Sequence, residues 1–351
     1  MLTLKIISKE DFNDFSSKQE NNHYMQSLSW GEYSKTIKHL TPYYLGLIDE
    51  QNNIICATLL LQDYIKFNYS YFYSPYGFII NYTNKDLVKE MTKQTVNFIK
   101  EKKGLFFKIN PNIIESKEVI DNLKEIGYKY QNTIQKPIYT TNINNKESKD
   151  NSNIVIDSSL GTKEDLKELK YSSKYQTLYD IFNGNTNTEA LIFINKLNFS
   201  KTIKSLEDKL KKINNQISIL PIDNLSKLAK EKLASLTKEK NSINEEIKIY
   251  KEYKNEYSPS TIISSQLMLI YNDTAWVIET TIHNSIPNIS IDNYIYNEHI
   301  NYCKEHKIKV YNNYNKLEDM HELKYIGEFT YIINKPLYLL LKCKNKEVDY
   351  V

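Results

Sequence analysis

Every full cation available to this chain is a lysine: 46 are present, and there is no arginine. A bound anion must therefore meet ammonium groups, hydroxyls, amides or backbone N–H groups, never a planar guanidinium fork. Two of these lysines stand in segments that combine several binding groups. Lys35 closes Trp30-Gly31-Glu32-Tyr33-Ser34-Lys35, which follows Tyr24-Met25-Gln26-Ser27 and gathers aromatics, an amide and an ammonium about a helix start. Lys108 lies in the apolar run Phe106 to Ile109, near the strand end before Asn110-Pro111, where it faces either solvent or a cleft. Between them, Tyr73-Ser74-Pro75-Tyr76-Gly77-Phe78 makes a tight turn after an aromatic strand. Trp30, Tyr73 and Phe107 are equally suited to core packing. Such a set binds and orients a ligand; it contains no activated nucleophile.

Self-contained catalytic signatures are absent. There is no GxSxG elbow, phosphate-binding Walker loop, HExxH pair or dinucleotide glycine fingerprint. His299 and His306 lie seven apart on one expected helix, while His23, His39, His283 and His321 are scattered, so all six read as surface or structural. Cys56, Cys303 and Cys343 form no CxxC pair, which argues for reduced thiols and against structural zinc. No metal and no cofactor is expected. A net charge of +3 over 351 residues is too small for a chain coated by nucleic acid or membrane. The start, MLTLKIISKEDFNDF, lacks the apolar core and cleavage site of a signal peptide. No apolar run approaches the roughly 18 residues of a membrane span. These features predict a cytoplasmic protein, compatible with peripheral contact at the inner membrane face.

The elements that position these residues follow a repeated order. Tyr43–Ile48 and Ile54–Leu61 predict a hairpin about the polar turn from Asp49 to Asn53. An aromatic strand Tyr69–Tyr73, a helix Lys85–Lys102 with Leu87, Met91, Val96 and Ile99 on one face, and a strand Leu105–Ile109 complete the first unit. The second runs alike: hairpin Gln266–Tyr271 and Ala275–Ile282, helix Ile291–Glu305, strand Lys307–Tyr311, closing with Glu328–Ile333. The expectation is an α+β fold with two acyltransferase-like lobes facing each other across a cleft. The expected boundaries are 1–141 for the first lobe, 142–153 for a linker, 154–195 and 257–342 for the second lobe, and 343–351 for a tail.

The insert at 196–256 gives the clearest periodic signal. Ile203, Leu206, Leu210, Ile213 and Ile217 recur at spacings of three and four. After Pro221 the pattern resumes at Ala229, Leu233, Leu236, Lys240, Ile243, Ile247 and Tyr250, with Asp223 placed to cap the second helix. An antiparallel coiled-coil arm follows, with about 20 residues per helix and a length of roughly 30 Å. It holds 14 lysines against 9 acidic residues, a net +5, while the remainder carries −2. That bias fits a solvated packing or dimerisation element, and it also fits a lever touching a polyanion such as tRNA.

Taken in order, these segments resemble the Fem family of aminoacyl-tRNA-dependent transferases, from about Met25 to Leu341. The likeness rests on Tyr24-Met25-Gln26 through Trp30-Gly31 to Lys35, the Tyr73-to-Phe78 turn, Lys108 to Pro111, Gly127-Tyr128 with Gln135-Lys136-Pro137, the arm, and Gly327-Glu328-Phe329. Tyr76 stands where the family's turn has arginine, Phe78 where it has proline, and Asn110 where it has aspartate. Tyr175–Phe182 matches a tyrosine-rich helix, without the threonine-to-arginine stretch that usually precedes it. Counting back from Gly327 places the family's catalytic lysine at Lys316, with Lys324 as the alternative.

The resemblance implies two acetyltransferase-like (GNAT-type) lobes with the arm inserted in the second. It implies transfer of an amino acid from aminoacyl-tRNA to the stem-peptide amine of a lipid-linked peptidoglycan precursor, in cell-wall biogenesis and cell shape. Lys316 and Asn110 take the catalytic positions, although an amide at Asn110 cannot act as a general base. Lys35, Trp30, Tyr33, Tyr73, Tyr76, Lys108 and Tyr314 take the substrate-binding positions. The partners implied are charged tRNA, the precursor, and a second family member in a homo- or heterodimer. A non-catalytic homologue that binds precursor or tRNA, or pairs with an active paralogue, is the alternative. A small-molecule acetyltransferase would require a glycine-rich pyrophosphate turn, and the eight glycines form none.

Overall fold

The computed structural model describes residues 2–19, 22–65, 68–131, 138–143, 156–169, 172–220, 227–258, 261–283, 291–317 and 320–342. The Pro221 turn and Asp223 cap, Gln135 to Pro137, most of the expected linker, Cys343 and the tail lie outside the described residues.

The apolar runs build two seven-stranded sheets. In the first, β1 (Thr3–Ile6), β2 (Thr41–Ile48), β3 (Ile54–Tyr64) and β4 (Ser70–Ser74) form an antiparallel meander. Helix α3 (Lys85–Glu101) then carries the chain to β5 (Gly104–Ile109), which lies parallel to β4. Asn84 caps α3 by accepting from Leu87 N–H, and Val88, Met91, Val96 and Ile99 are buried on the sheet-facing side. In the second sheet, β8 (Ile156–Leu160), β9 (Thr188–Leu197), β10 (Ile262–Tyr271) and β11 (Thr274–Ile282) repeat the meander. Helix α8 (Ile291–Glu305) then leads to β12 (Val310–Asn313), parallel to β11.

The last strands correct the sequence reading. Glu328–Ile333 was expected to close the second lobe. Instead β14 (Glu328–Ile332) pairs with β5 and with β6 (Lys129–Gln131) in the first sheet. In return β7 (Ile138–Asn142), which the expected boundaries place mostly in the first lobe, pairs with β12 and with β13 (His321–Leu323) in the second. Each lobe thus donates one strand to its neighbour, in equivalent positions. A five-residue strand carries no mark of its sheet; packing decides. Phe329 is fully buried, its ring 5.1 Å from Tyr130, and Tyr331 lies 5.7 Å from Phe107. The topology also matches β10–β11 to β3–β4, where the sequence had paired them with the β2–β3 hairpin.

The arm enters between β9 and β10, at the place where the first lobe has only the Asp49–Asn53 turn between β2 and β3. Helix α6 (Phe199–Ser218) has the expected 20 residues, but α7 (Lys227–Glu256) has 30, or about 45 Å. The extra turns return the chain to the sheet, where Tyr250, Tyr253 and Tyr257 surround Phe199 at 5.9–6.4 Å. Ion pairs Lys209–Glu239 and Lys251–Glu207 run in opposite chain order, so the helices are antiparallel. Leu206, Ile213, Leu236, Ile243 and Ile247 are buried between them, at the positions the periodicity gives. Among the described residues no helix is long and apolar enough to cross a membrane.

Between the lobes lies a core rather than an open cleft. Helix α2 (Leu28–Ile37) of the first lobe packs on its equivalent α5 (Ser172–Gly184) of the second. Tyr24, Trp30, Tyr33 and Tyr44 share one buried cluster with Tyr175, Phe182, Leu267, Tyr271 and Trp276.

Candidate functional site

The site forms where the parallel strand pairs end. In the first lobe the C-terminal ends of β4 and β5 deliver Tyr76 and Asn110; in the second, the end of β12 delivers Tyr314. Tyr76 holds a left-handed backbone at φ +53°, followed by Gly77 at +139°. A non-glycine residue there is strained by about 1–3 kcal/mol and persists only when its surroundings over-determine it. They do. Asn110 Oδ1 accepts from Tyr76 N–H at 2.8 Å and from the Tyr73 hydroxyl at 2.9 Å. Gln26 Nε2 donates to the Pro75 carbonyl at 2.5 Å, and its Oε1 accepts from Leu59 N–H at 2.8 Å. Ser74 Oγ donates to the Gly77 carbonyl.

This turn lays the Tyr76 ring flat on His23, with centroids 3.5 Å apart and planes at 7°. His23 heads the 3₁₀ turn Tyr24–Gln26, and its Nδ1 accepts from Met25 N–H at 3.1 Å. The proton therefore sits on Nε2, which has no partner among the described residues. Burial holds this imidazole well below the ordinary histidine range, so it is neutral. Beside it Tyr24 packs 5.2 Å from Trp276 and 5.5 Å from Trp30, and hydrogen-bonds the Tyr314 hydroxyl. Tyr325 meets the Tyr76 ring edge-on at 5.9 Å.

Five phenols thus converge: Tyr24, Tyr73, Tyr76, Tyr314 and Tyr325. Burial pushes all of them above the usual phenol range, to about 12 for Tyr325, and neighbouring phenols add to the effect for Tyr24, Tyr76 and Tyr325. All stay protonated at neutral pH. The Tyr73 hydroxyl is committed to Asn110, and the Tyr24–Tyr314 hydrogen bond uses one proton of that pair. Tyr76, Tyr325 and the remaining proton of the pair can donate to an oxygen that gains negative charge, and none of the five can serve as a base.

Of the residues singled out in the sequence, Tyr73, Tyr76, Asn110 and Tyr314 meet in this cluster. Trp30 and the buried Tyr33 join it through Tyr24, with Trp30 and Tyr33 rings 5.2 Å apart. Lys108 lies next door, in a partly buried pair with Glu328 at 2.8 Å, and Glu328 in turn raises Tyr73. Lys35 and Lys316 are exposed to solvent, outside the cluster. The open groove expected about Tyr76 is corrected: its side chain is 9% exposed, because His23 covers it.

Sequence reasoning missed His23, Trp276, Glu328 and Lys38. His23 carried one signal, a polar residue just before Tyr24-Met25-Gln26. Lys38 carried none. At the C-cap of α2 its ammonium lies 5.0 Å from the Trp30 ring centroid. Burial, and then Lys174 of α5, lowers it below the usual lysine range. Two ammonium groups from equivalent helices of the two lobes therefore approach each other, an arrangement that favours a bound anion. Among the described residues no three His, Cys, Asp or Glu side chains converge as metal ligands.

The strand order, the parallel pair in each sheet and the strand exchange define a protein of two GNAT-like lobes with a helical hairpin in the second. The solved structure of FemX superposes on the chain with a TM-score of 0.73 at 17% identity, covering 97% of this chain and 99% of that one. The FemAB family model matches residues 7–158 and 162–315, and the chain belongs to that family. It is similar to the lipid II:glycine glycyltransferase of Staphylococcus aureus, 21% identical over an alignment of 404 positions that covers 96% of this chain and 94% of the relative. The glycyltransferase of Staphylococcus aureus strain MRSA252 matches with the same identity and coverage.

Proposed function

We propose that this protein moves an amino acid from aminoacyl-tRNA to the stem-peptide amine of a lipid-linked peptidoglycan precursor, extending the interpeptide bridge. The observation that carries the reading is the set of protonated phenols at the junction of the lobes, in a chain aligned end to end with relatives named as lipid II:glycine glycyltransferases. An aminoacyl ester is already activated. The neutral amine attacks its carbonyl carbon, the tetrahedral oxyanion forms, the C–O bond to the ribose breaks, and the ribose oxygen takes the proton the amine gives up. Positioning and oxyanion stabilisation are what the protein must supply.

In this reading the Tyr24–Tyr314 pair and Tyr76 donate to the developing oxyanion. Lys38 and Lys174, with Lys35 at the rim, receive the precursor's phosphates. Lys316, two residues beyond Tyr314, polarises the ester or binds a phosphate at its end of the substrate. Glu328, which pairs with Lys108 and raises Tyr73, is the carboxylate we assign to take the proton the substrate ammonium loses before attack, since Asn110 cannot. Incubation with a pool of charged tRNAs and lipid-linked precursor, read by product mass, tests the reading. A gain of one aminoacyl mass is expected; an unchanged precursor, under conditions where a known glycyltransferase works, overturns it.

One observation favours a second reading, a non-catalytic binder. The Asn110 oxygen is committed to two structural hydrogen bonds and His23 covers Tyr76. That reading expects precursor binding without any product in the same assay.

A further inference from the structure

The arm's charge is not spread along its length. The base, residues 196–208 and 241–256, holds six lysines and six acidic residues. The distal half, 209–240, holds eight lysines and three acidic residues, so the whole +5 sits there. The same end displays two large apolar side chains to solvent: Ile219, 81% exposed just past α6, and Leu228, 78% exposed in the first turn of α7. They are the two most exposed large hydrophobic side chains among the described residues. Neither packs into the helix seam, which closes through Leu206, Ile213, Leu236 and Ile243. Lys211, Lys212, Lys227, Lys230 and Lys232 flank them, all exposed.

We propose that the distal end of the arm docks on an anionic lipid surface, with Ile219 and Leu228 entering the interface and the lysines meeting the headgroup phosphates. Charge complementarity selects an anion-rich partner. The apolar pair then distinguishes a bilayer from RNA. A phosphate backbone offers nothing for an isoleucine and a leucine, whereas the headgroup–acyl boundary takes both, and lysine stems lie along it with their ammonium groups in water. The arm is long enough to hold the lobes above such a surface, about 45 Å along α7. The inference draws its purpose from the proposed lipid-linked substrate, but it stands on the arm alone.

The test is co-sedimentation of the full chain with vesicles of phosphatidylcholine alone and of phosphatidylcholine with about one third phosphatidylglycerol, containing neither precursor nor tRNA. Binding to the anionic vesicles at least tenfold tighter than to the neutral ones is expected, weakening as salt rises. The double variant Ile219→Asp, Leu228→Asp should lose at least tenfold of it. So should Lys227→Glu, Lys230→Glu, Lys232→Glu, with circular dichroism unchanged for both, since every substituted side chain is exposed. Equal affinity for neutral vesicles, or an Ile219/Leu228 variant that binds as the parent does, overturns the proposal. Binding of tRNA that the lysine variant loses and the apolar variant keeps, without vesicle binding, assigns the arm end to nucleic acid instead. Because no transfer is measured, failure here leaves the transferase reading untouched, and failure of transfer leaves this result standing.

Discussion

The imidazole of His23 lies flat against the ring of Tyr76, 3.5 Å away and 7° from parallel. His23 opens the first helical segment of the site and Tyr76 caps the parallel pair β4–β5, so the contact ties two distant parts of the first lobe together at the edge of the second. The stack keeps a neutral imidazole and a protonated phenol in one apolar wall. It leaves the His23 Nε2–H without a partner among the described residues.

Asn110 should matter for stability before it matters for chemistry. Asn110→Ala leaves Tyr76 N–H and the Tyr73 hydroxyl without their shared acceptor, and should cost about 1–3 kcal/mol. Asn110→Asp keeps the acceptor and should stay near the parent. Urea denaturation of the three proteins measures the order. An alanine variant as stable as the parent removes Asn110 from the account of the turn.

The phenol donors make a kinetic prediction. Tyr24→Phe and Tyr314→Phe keep the packing and remove one hydroxyl each, and each should lower kcat by about a hundredfold. KM for the precursor should change little, because the oxygen they serve is charged only in the transition state. A rise in KM with kcat unchanged would move both residues to ground-state binding.

Lys316 is an exposed member of the proposed machinery. Lys316→Ala should lower turnover more than about a hundredfold if that ammonium polarises the ester, a loss on the scale of a removed oxyanion donor. Lys324→Ala serves as the comparison, being the other lysine the spacing allows. Unchanged transfer from charged tRNA in the Lys316 variant would remove the assignment.

Two buried histidines predict acid sensitivity. His23 and His299 are both neutral in the fold, His299 with its pKa brought down to about 3, each by burial. An unfolded histidine titrates near 6.5. Below that value the unfolded chain binds protons the folded one refuses. Stability from these groups is therefore complete above about pH 6.5. It falls by about 1.4 kcal/mol per pH unit for each histidine as pH drops toward the folded-state values. Thermal denaturation of parent and His299→Gln across pH 4–7 should show a shallower slope in the variant. Parallel slopes would mean His299 is charged in the fold.

The exchanged strands predict cross-lobe dependence. Ending the chain at residue 326 removes β14, whose Phe329 is fully buried between β5 and β6. Hydrogen exchange should show lost protection at β5 and β6, in the lobe farther away in sequence, while β10 and β11 stay protected. Loss confined to the second sheet would contradict the pairing.

Much of the architecture was legible because it rests on local periodicity. The apolar faces of α3 and of the arm, the β-prone runs and the Pro75–Gly77 turn are set by residues a few positions apart, and the alternating three-and-four spacing named the buried seam of α6 and α7 correctly. The order of motifs carried the family and its paired lobes. What the sequence by itself could not determine was anything settled by contacts across hundreds of residues. β14 and β7 cross between sheets because side-chain packing, not strand propensity, chooses the partner. Lys108 meets Glu328, Tyr24 meets Tyr314, and His23 stacks on Tyr76, all through pairings that only the tertiary fold brings within reach. Whether a lysine faces solvent or a site is likewise a matter of burial. Lys35 stands outside the cluster and Lys38, three residues on, lies over Trp30, because a helix turns each successive side chain by about 100° and only the packed partner α5 fixes which of them is covered.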